Sequence, residues 1–265
     1  MDALRQVDGW TVDRVAVGTA GRHESSYGDV DHRFAWASVT KLASAVAMLI
    51  AAEEGLVDLA EAAGPPGSTF RHLLAHASGL PFDPGPPIAA PGTRRIYSNH
   101  GFDTAAALVS ARAGMPFADY FHGVWQGTGI RLDGPASSGA NGTLADLLEL
   151  ARELQEPRRL APETVAEATD VQFPGLVGVL PGFGRQEPND WGLGFELRDA
   201  KSPHWTGDLN SPATFGHFGR SGTFLWVDPV AGIALACLTD RGFGDWALAA
   251  WPRLADAVLA GSSPH

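Results

Sequence analysis

Ser38 and Lys41 stand three residues apart at the head of the run Ser38-Val39-Thr40-Lys41-Leu42-Ala43. In a helix, residues i and i+3 share a face at about 5–6 Å, which brings a hydroxyl and an amine within hydrogen-bond reach. A serine hydroxyl is a weak nucleophile until a neighbouring base takes its proton, and a lysine becomes such a base once burial or a nearby cation lowers its pKa. The first turn of a helix also offers free backbone N–H groups that favour a developing anion. The pair therefore has the makings of acyl transfer, with Ser38 attacking a carbonyl and Lys41 handling the proton. Of 19 lysines and arginines only Lys41 and Lys201 are lysines. In so arginine-rich a chain, a retained lysine is a candidate for what arginine cannot do, namely lose its proton near neutral pH.

The elements that must position this pair follow from the local pattern. Residues 11–21 and about 23–36 read as two short strands joined at turn glycines, an opening hairpin. From Ser38 to about Glu54 the sequence is helical by propensity, closes at Gly55 and is apolar nearly all round, the mark of a buried helix. Candidate helices follow over Phe70–His76, Phe102–Ala113, Thr143–Gln155 and Pro162–Thr169, with Thr143 as an N-cap and Pro162 in a first turn. The Pro/Gly-rich loops 81–91 and 175–189 separate them. Strands then return over Gly192–Leu197, Thr214–Phe218, Gly222–Val227 and Gly232–Thr239, before a closing apolar helix over Trp246–Leu259. Strands at both ends around a helical middle predict an α/β (α+β) chain with one antiparallel sheet built from both termini. The sheet unit takes residues 1–37 and 190–265, and the inserted, mainly helical lobe takes 38–189.

Composition narrows the function classes. An apolar fraction of 45 % with 18 % charged residues belongs to a compact globular chain. A net charge of −11 without any basic run disfavours nucleic acid and anionic membrane as partners. Cys237, the single cysteine, lies in an apolar run and is expected to be a buried thiol. The first residues lack a basic stretch followed by an apolar one, and no stretch of 18 apolar residues occurs, so a cytoplasmic location is expected if this is the natural start. His72 and His76 have an i, i+4 spacing, but no Glu lies between them and no third ligand is evident, so they are assigned a structural role and no metal is expected.

Downstream of Ser38-x-x-Lys41 come Tyr97-Ser98-Asn99 and His217-Phe218-Gly219, in that order. With these three motifs the chain resembles the serine β-lactamase and penicillin-binding-protein family, in particular its class C β-lactamase-like branch of serine hydrolases. The segments 69–81 and 216–222 resemble that family's helix-turn and active-site strand, and the likeness spans roughly residues 12–258. The resemblance implies a β-lactamase-like fold and a serine hydrolase that cleaves an ester or small amide without a cofactor. It implies acylation at Ser38, proton transfer shared by Lys41 and Tyr97, and a substrate hydrogen bond from Asn99. His217 would stand where the third motif usually has lysine and help hold the proton network. The oxyanion would meet the backbone N–H groups of Ser38 and Arg220, with Gly219 keeping the strand approachable by substrate. Phe218 departs from the hydroxyl residue that binds a β-lactam's carboxylate, which favours an ester or amide lacking that group. The alternatives are a DD-peptidase, D-aminopeptidase or β-lactamase, and a slow-deacylating or inactive penicillin-binding or sensing module. Substrate identity and oligomeric state are left open.

Overall fold

The computed structural model describes residues 3–261. Residues 1–2 and 262–265, at the outer ends of the expected sheet unit, lie outside the described residues.

A 3-10 turn, Ala3–Gly9, precedes β1 (Val15–Gly21) and β2 (Ser25–Gly28), the opening hairpin. The second expected strand, about 23–36, does not run on. Gly28 turns the chain out of the sheet with φ of +93°, where a Cβ would come within 2.1 Å of the Val15 carbonyl. A two-residue strand, β3 (Phe34–Ala35), pairs instead in a small separate sheet with the connection between the later helices, which supplies β4 (Arg131–Leu132) and β5 (Ala140–Gly142).

A 3-10 turn, Ala37–Val39, leads into α1 (Thr40–Glu53). Of its 14 residues only Ile50, Ala52 and Glu53 escape burial, so the helix is apolar on every side because every side is covered. Gly55 follows with φ of +73°. The helical middle continues with α2 (Phe70–Leu74), α3 (Asn99–Ala113), α4 (Phe117–Val124), α5 (Leu144–Gln155) and α6 (Pro162–Ala168). Thr143 caps α5 as expected, accepting from Asp146 N. The loop over 175–189 holds a tight hairpin, β6 (Gly178–Leu180) and β7 (Gly184–Gln186).

The returning strands are β8 (Glu196–Leu197), β9 (Phe215–Gly219), β10 (Thr223–Asp228) and β11 (Ile233–Thr239), followed by α7 (Asp245–Gly261). They join the first hairpin in one six-stranded sheet of order β2-β1-β11-β10-β9-β8, every pair antiparallel. β9, β10 and β11 are buried at every residue. On one face Leu225, Val227, Ala236 and Leu238 pack with Leu144 and Leu148 of α5. On the other, Phe224, Trp226 and Leu235 pack with Trp251, Leu254 and the first turn's Leu4. A strand covered on both faces has no solvent side, so these strands read as continuous apolar runs rather than alternating ones. Cys237 sits on the second face as a buried free thiol. Among the described residues no helix is long and apolar enough to cross a membrane.

Candidate active site

Ser38 lies in the 3-10 turn that enters α1, and the residue before it, Ala37, has φ of +45°. An alanine in the left-handed region stores strain, which persists only where surrounding structure enforces it. Gly219 on β9 is part of that enforcement. A Cβ there would come within 2.6 Å of the Trp36 carbonyl and 3.1 Å of the Ala37 side chain, while Thr223 donates to the same carbonyl at 2.9 Å. The glycine thus admits the protein's own backbone just before Ser38. It seats the serine turn against the end of β9, and Arg220 follows at once.

Lys41 is completely buried one turn on. Its Nζ donates to Asn99 Oδ1 at 2.6 Å and to the Ser137 carbonyl at 2.9 Å, and lies 4.7 Å from the centre of the Tyr97 ring. Burial drives this amine down from 10.5 to about 7, against a smaller opposing pull from Asp103. Two of its positions are spent as donors, which leaves a neutral amine one lone pair for a further group. No hydrogen bond joins it to Ser38 Oγ.

Asn99 is the first residue of α3, but Ser98 rather than Asn99 is the helix cap, accepting from Gly101 N at 2.8 Å. The Asn99 side chain is therefore free of capping and serves Lys41. Asp103, one turn along α3, accepts from Ser137 N at 2.9 Å and from Ser137 Oγ at 3.1 Å, fixing the loop whose carbonyl holds the amine. Sequence reasoning missed Asp103, although its i+4 spacing from Asn99 puts both on one face of α3.

Tyr97 and His217 come together beside Lys41, with ring centres 5.6 Å apart. Each carries a buried polar atom without a partner: the Tyr97 hydroxyl and His217 Nε2. Burial pushes the tyrosine up from its ordinary value. The nearby Ser38 side chain opposes that, without forming a hydrogen bond of normal geometry. Burial, then the Lys41 charge, push His217 down to about 3, so its ring is neutral. Its Nδ1 lies 2.6 Å from the Phe218 carbonyl, which can only accept, so Nδ1 carries the proton and Nε2 a bare lone pair. Phe218 points to the other face of β9, among Phe183, Trp205, Phe243 and Trp251.

Behind Tyr97 stand Trp191 and His76, the second of which the sequence leaves in a structural role. Trp191 packs edge-on against His217 at 5.5 Å. His76 lies 4.8 Å from the Tyr97 ring and accepts from Ser98 N through Nδ1. The expected helix Phe70–His76 stops at Leu74, and His76 takes φ of +54°, so it does not share a helix face with His72, whose Nδ1 closes the capping box of Thr69. Arg95 is also buried. It donates to the carbonyls of Ala75, Gln172, Phe173 and Asn189, tying the segment before Tyr97 to the loops around it.

Ser38 stands between two hollows. One, of about 310 Å³, is lined by Tyr97, His217 and mainly apolar side chains. The other, of about 480 Å³, is lined by Asn99, Asp83, Ser138 and Ser221. Arg220 and Phe82 border both. Larger depressions of about 700 and 590 Å³ lie away from Ser38, and none of the seven residues selected from the sequence lines either.

A family model described as Beta-lactamase matches residues 6–125 and 122–260. A crystal structure of a beta-lactamase from Mycobacterium bovis superposes with a TM-score of 0.96 at 51% sequence identity, over 99% of this chain and 100% of that one. The LovD9 mutant of simvastatin synthase from Aspergillus terreus shares the fold at 17% identity and a TM-score of 0.77, over 98% and 97% of the two chains. EstCE1, a hydrolase with promiscuous acyltransferase activity, does so at 17% and 0.75, over 97% and 96%. No curated protein matches the sequence.

Proposed function

Because this chain belongs to the Beta-lactamase family, we propose that it hydrolyses an ester or small amide through an acyl-enzyme on Ser38. The observation that carries this reading is the state of Lys41: a wholly buried amine, held by two acceptors one turn after Ser38 and brought by burial to about 7. A base poised near neutral pH is what general-base catalysis requires.

In this mechanism neutral Lys41, with Tyr97, takes the Ser38 proton as Oγ attacks the carbonyl carbon. The oxyanion is met by the N–H groups of Ser38 and Arg220, and Asn99 orients the substrate while holding Nζ. The leaving group departs with a proton from the Tyr97 hydroxyl, whose raised pKa keeps it protonated between steps. Neutral His217 can accept from that hydroxyl or from substrate through Nε2. Water then attacks the acyl carbonyl carbon and gives a proton to the same pair, which returns one to Ser38 Oγ as its bond to that carbon breaks and the acid leaves. The sheet unit and the helical lobe of the sequence reading would meet at this site.

A fluorophosphonate probe tests the proposal, with the adduct located by mass spectrometry. A single adduct on Ser38, absent from Ser38→Ala, is the expected result, and labelling elsewhere or not at all refutes it. Hydrolysis of β-lactams is the second reading, favoured by the 51% identity to a structure described as a beta-lactamase. Phe218 opposes it, since an apolar ring offers nothing to a carboxylate. Nitrocefin turnover set against p-nitrophenyl ester turnover decides between them.

Gly219 gives a more local prediction. Gly219→Ala forces the Trp36–Ala37 backbone to move and displaces Ser38 from its base. A misplacement of about 1 Å costs on the order of 10²-fold, so kcat on a p-nitrophenyl ester should fall by about that factor while far-UV circular dichroism stays native. An unchanged kcat refutes the role assigned to this close approach.

A further inference from the structure

The two hollows that meet at Ser38 differ in what lines them, and Tyr97 and His217 belong to only one. Tyr97 and His217 line the smaller cavity and not the groove, whereas Asn99 lines the groove and not the cavity. In acyl transfer the leaving oxygen must lie beside the group that protonates it. On the acyl-enzyme reading above, that group is the Tyr97 hydroxyl.

The rest of the cavity wall is apolar: Phe82, Leu180, Pro181, Trp191, Phe218 and Phe243. Its one acid, Glu196, is committed to Lys201, His204 and Trp205, so it offers no free charge to a ligand. Arg220 stands at the border shared with the groove. A cavity of 310 Å³ holds on the order of ten water volumes at about 30 Å³ each.

We infer that the apolar cavity takes the alcohol half of an ester, an uncharged aromatic or branched alcohol of up to about ten non-hydrogen atoms, while the acyl half lies along the polar groove. Because deacylation runs through the same cavity in reverse, an apolar alcohol that fills it competes with water for the acyl-enzyme. In that step the acyl carbonyl carbon bonds to the alcohol oxygen and its bond to Ser38 Oγ breaks. The alcohol's proton passes through Tyr97 and Lys41 back to Ser38 Oγ.

The test uses the wild-type enzyme and two acetate esters, benzyl acetate and the acetate ester of 4-(hydroxymethyl)benzoic acid, which differ by one carboxylate on the leaving group. Both deliver the same acetyl group to Ser38, so any difference lies on the alcohol side. Benzyl acetate should have the higher kcat/KM by about tenfold or more, because the carboxylate would lose its water without gaining a buried partner. With p-nitrophenyl acetate as donor, added benzyl alcohol should yield benzyl acetate, while ethanol at equal concentration should yield far less ethyl acetate. Equal rates on the two esters, a preference for the charged one, or equal transfer to both alcohols overturns the inference while an acetyl-Ser38 adduct keeps the acyl-enzyme reading intact. Failure of every ester to acetylate Ser38 overturns both.

Discussion

Lys41→Arg should lower Ser38-dependent ester turnover by about 10²–10⁴-fold, the range that a positioned general base contributes. Arginine keeps the positive charge and the donors but cannot give up its proton in a protein. If Lys41 served only to neutralise an oxyanion or to brace Asn99, the substitution would be mild. The wild-type pH profile is the companion measurement. The amine must be neutral to act, and burial brings it from 10.5 to about 7, so kcat/KM should rise with pH through about 7 and level off above it. Lys41→Arg should abolish that inflection as well as most of the rate. Undiminished activity, or a profile flat across pH 7 in the wild type, removes Lys41 from the role of base. The same depression has a consequence for stability. Between about 7 and 10.5 the unfolded chain holds a proton that the folded chain has released. Stability attributable to this group therefore rises with pH across that window and is independent of pH below it. A buried neutral lysine is thus a cost of folding borne for reactivity.

How far the site could be read in advance depended on whether its parts are local. Ser38 and Lys41 are joined by helix spacing, and Thr143 and Gly55 punctuate their helices as their chemistry dictates, so these were legible. β9, β10 and β11 were legible too, because burial on both faces leaves unbroken apolar runs. The long strand expected over 23–36 failed at Gly28, where a positive φ ends pairing and only long-range contact with residues 140–142 reveals β3. The hairpin β6–β7 hid in a stretch rich in Pro and Gly, and its Leu180, Pro181 and Gly182 shape the cavity beside Ser38. α4 was missed as well. Asp103 and the Ser137 carbonyl lie beyond pattern reading because their task is to hold an amine that belongs to another helix. Gly219 is read from the sequence as keeping its strand approachable by substrate, while the contact with Trp36, 183 positions away in sequence, exists only through the fold.

Lys201, the other lysine, leads to the second large effect. Its Nζ is 2.5 Å from Glu196 Oε1 and 2.6 Å from the Asp190 carbonyl, and it also donates to the Leu197 carbonyl. Glu196 is 1% exposed and accepts further from His204 Nε2 and Trp205 Nε1, both at 2.9 Å. Burial alone would raise this carboxyl, but the charges of Lys201 and His204 and their hydrogen bonds hold it at about 2. Lys201→Met leaves the carboxylate buried without its counter-charge, which costs about 3–5 kcal/mol. For a chain of this size that corresponds to a fall in Tm of roughly 6–20 °C. A folded pKa below the unfolded 4.5 means that the stabilisation is present above about 4.5 and is lost as pH falls toward 2. The gap between wild type and Lys201→Met should accordingly narrow on acidification through that window. Adding Glu196→Gln to Lys201→Met removes the stranded charge and should recover most of the lost Tm, since the damage comes from the unpaired ion rather than from the missing pair. A single variant that melts within a degree or two of wild type, or a double variant no better than the single, refutes this account of the cluster. Because Glu196 also lines the cavity beside Ser38, the recovered double variant should regain its ester turnover together with its stability, provided that the pair acts by holding the cavity wall in place rather than by touching substrate.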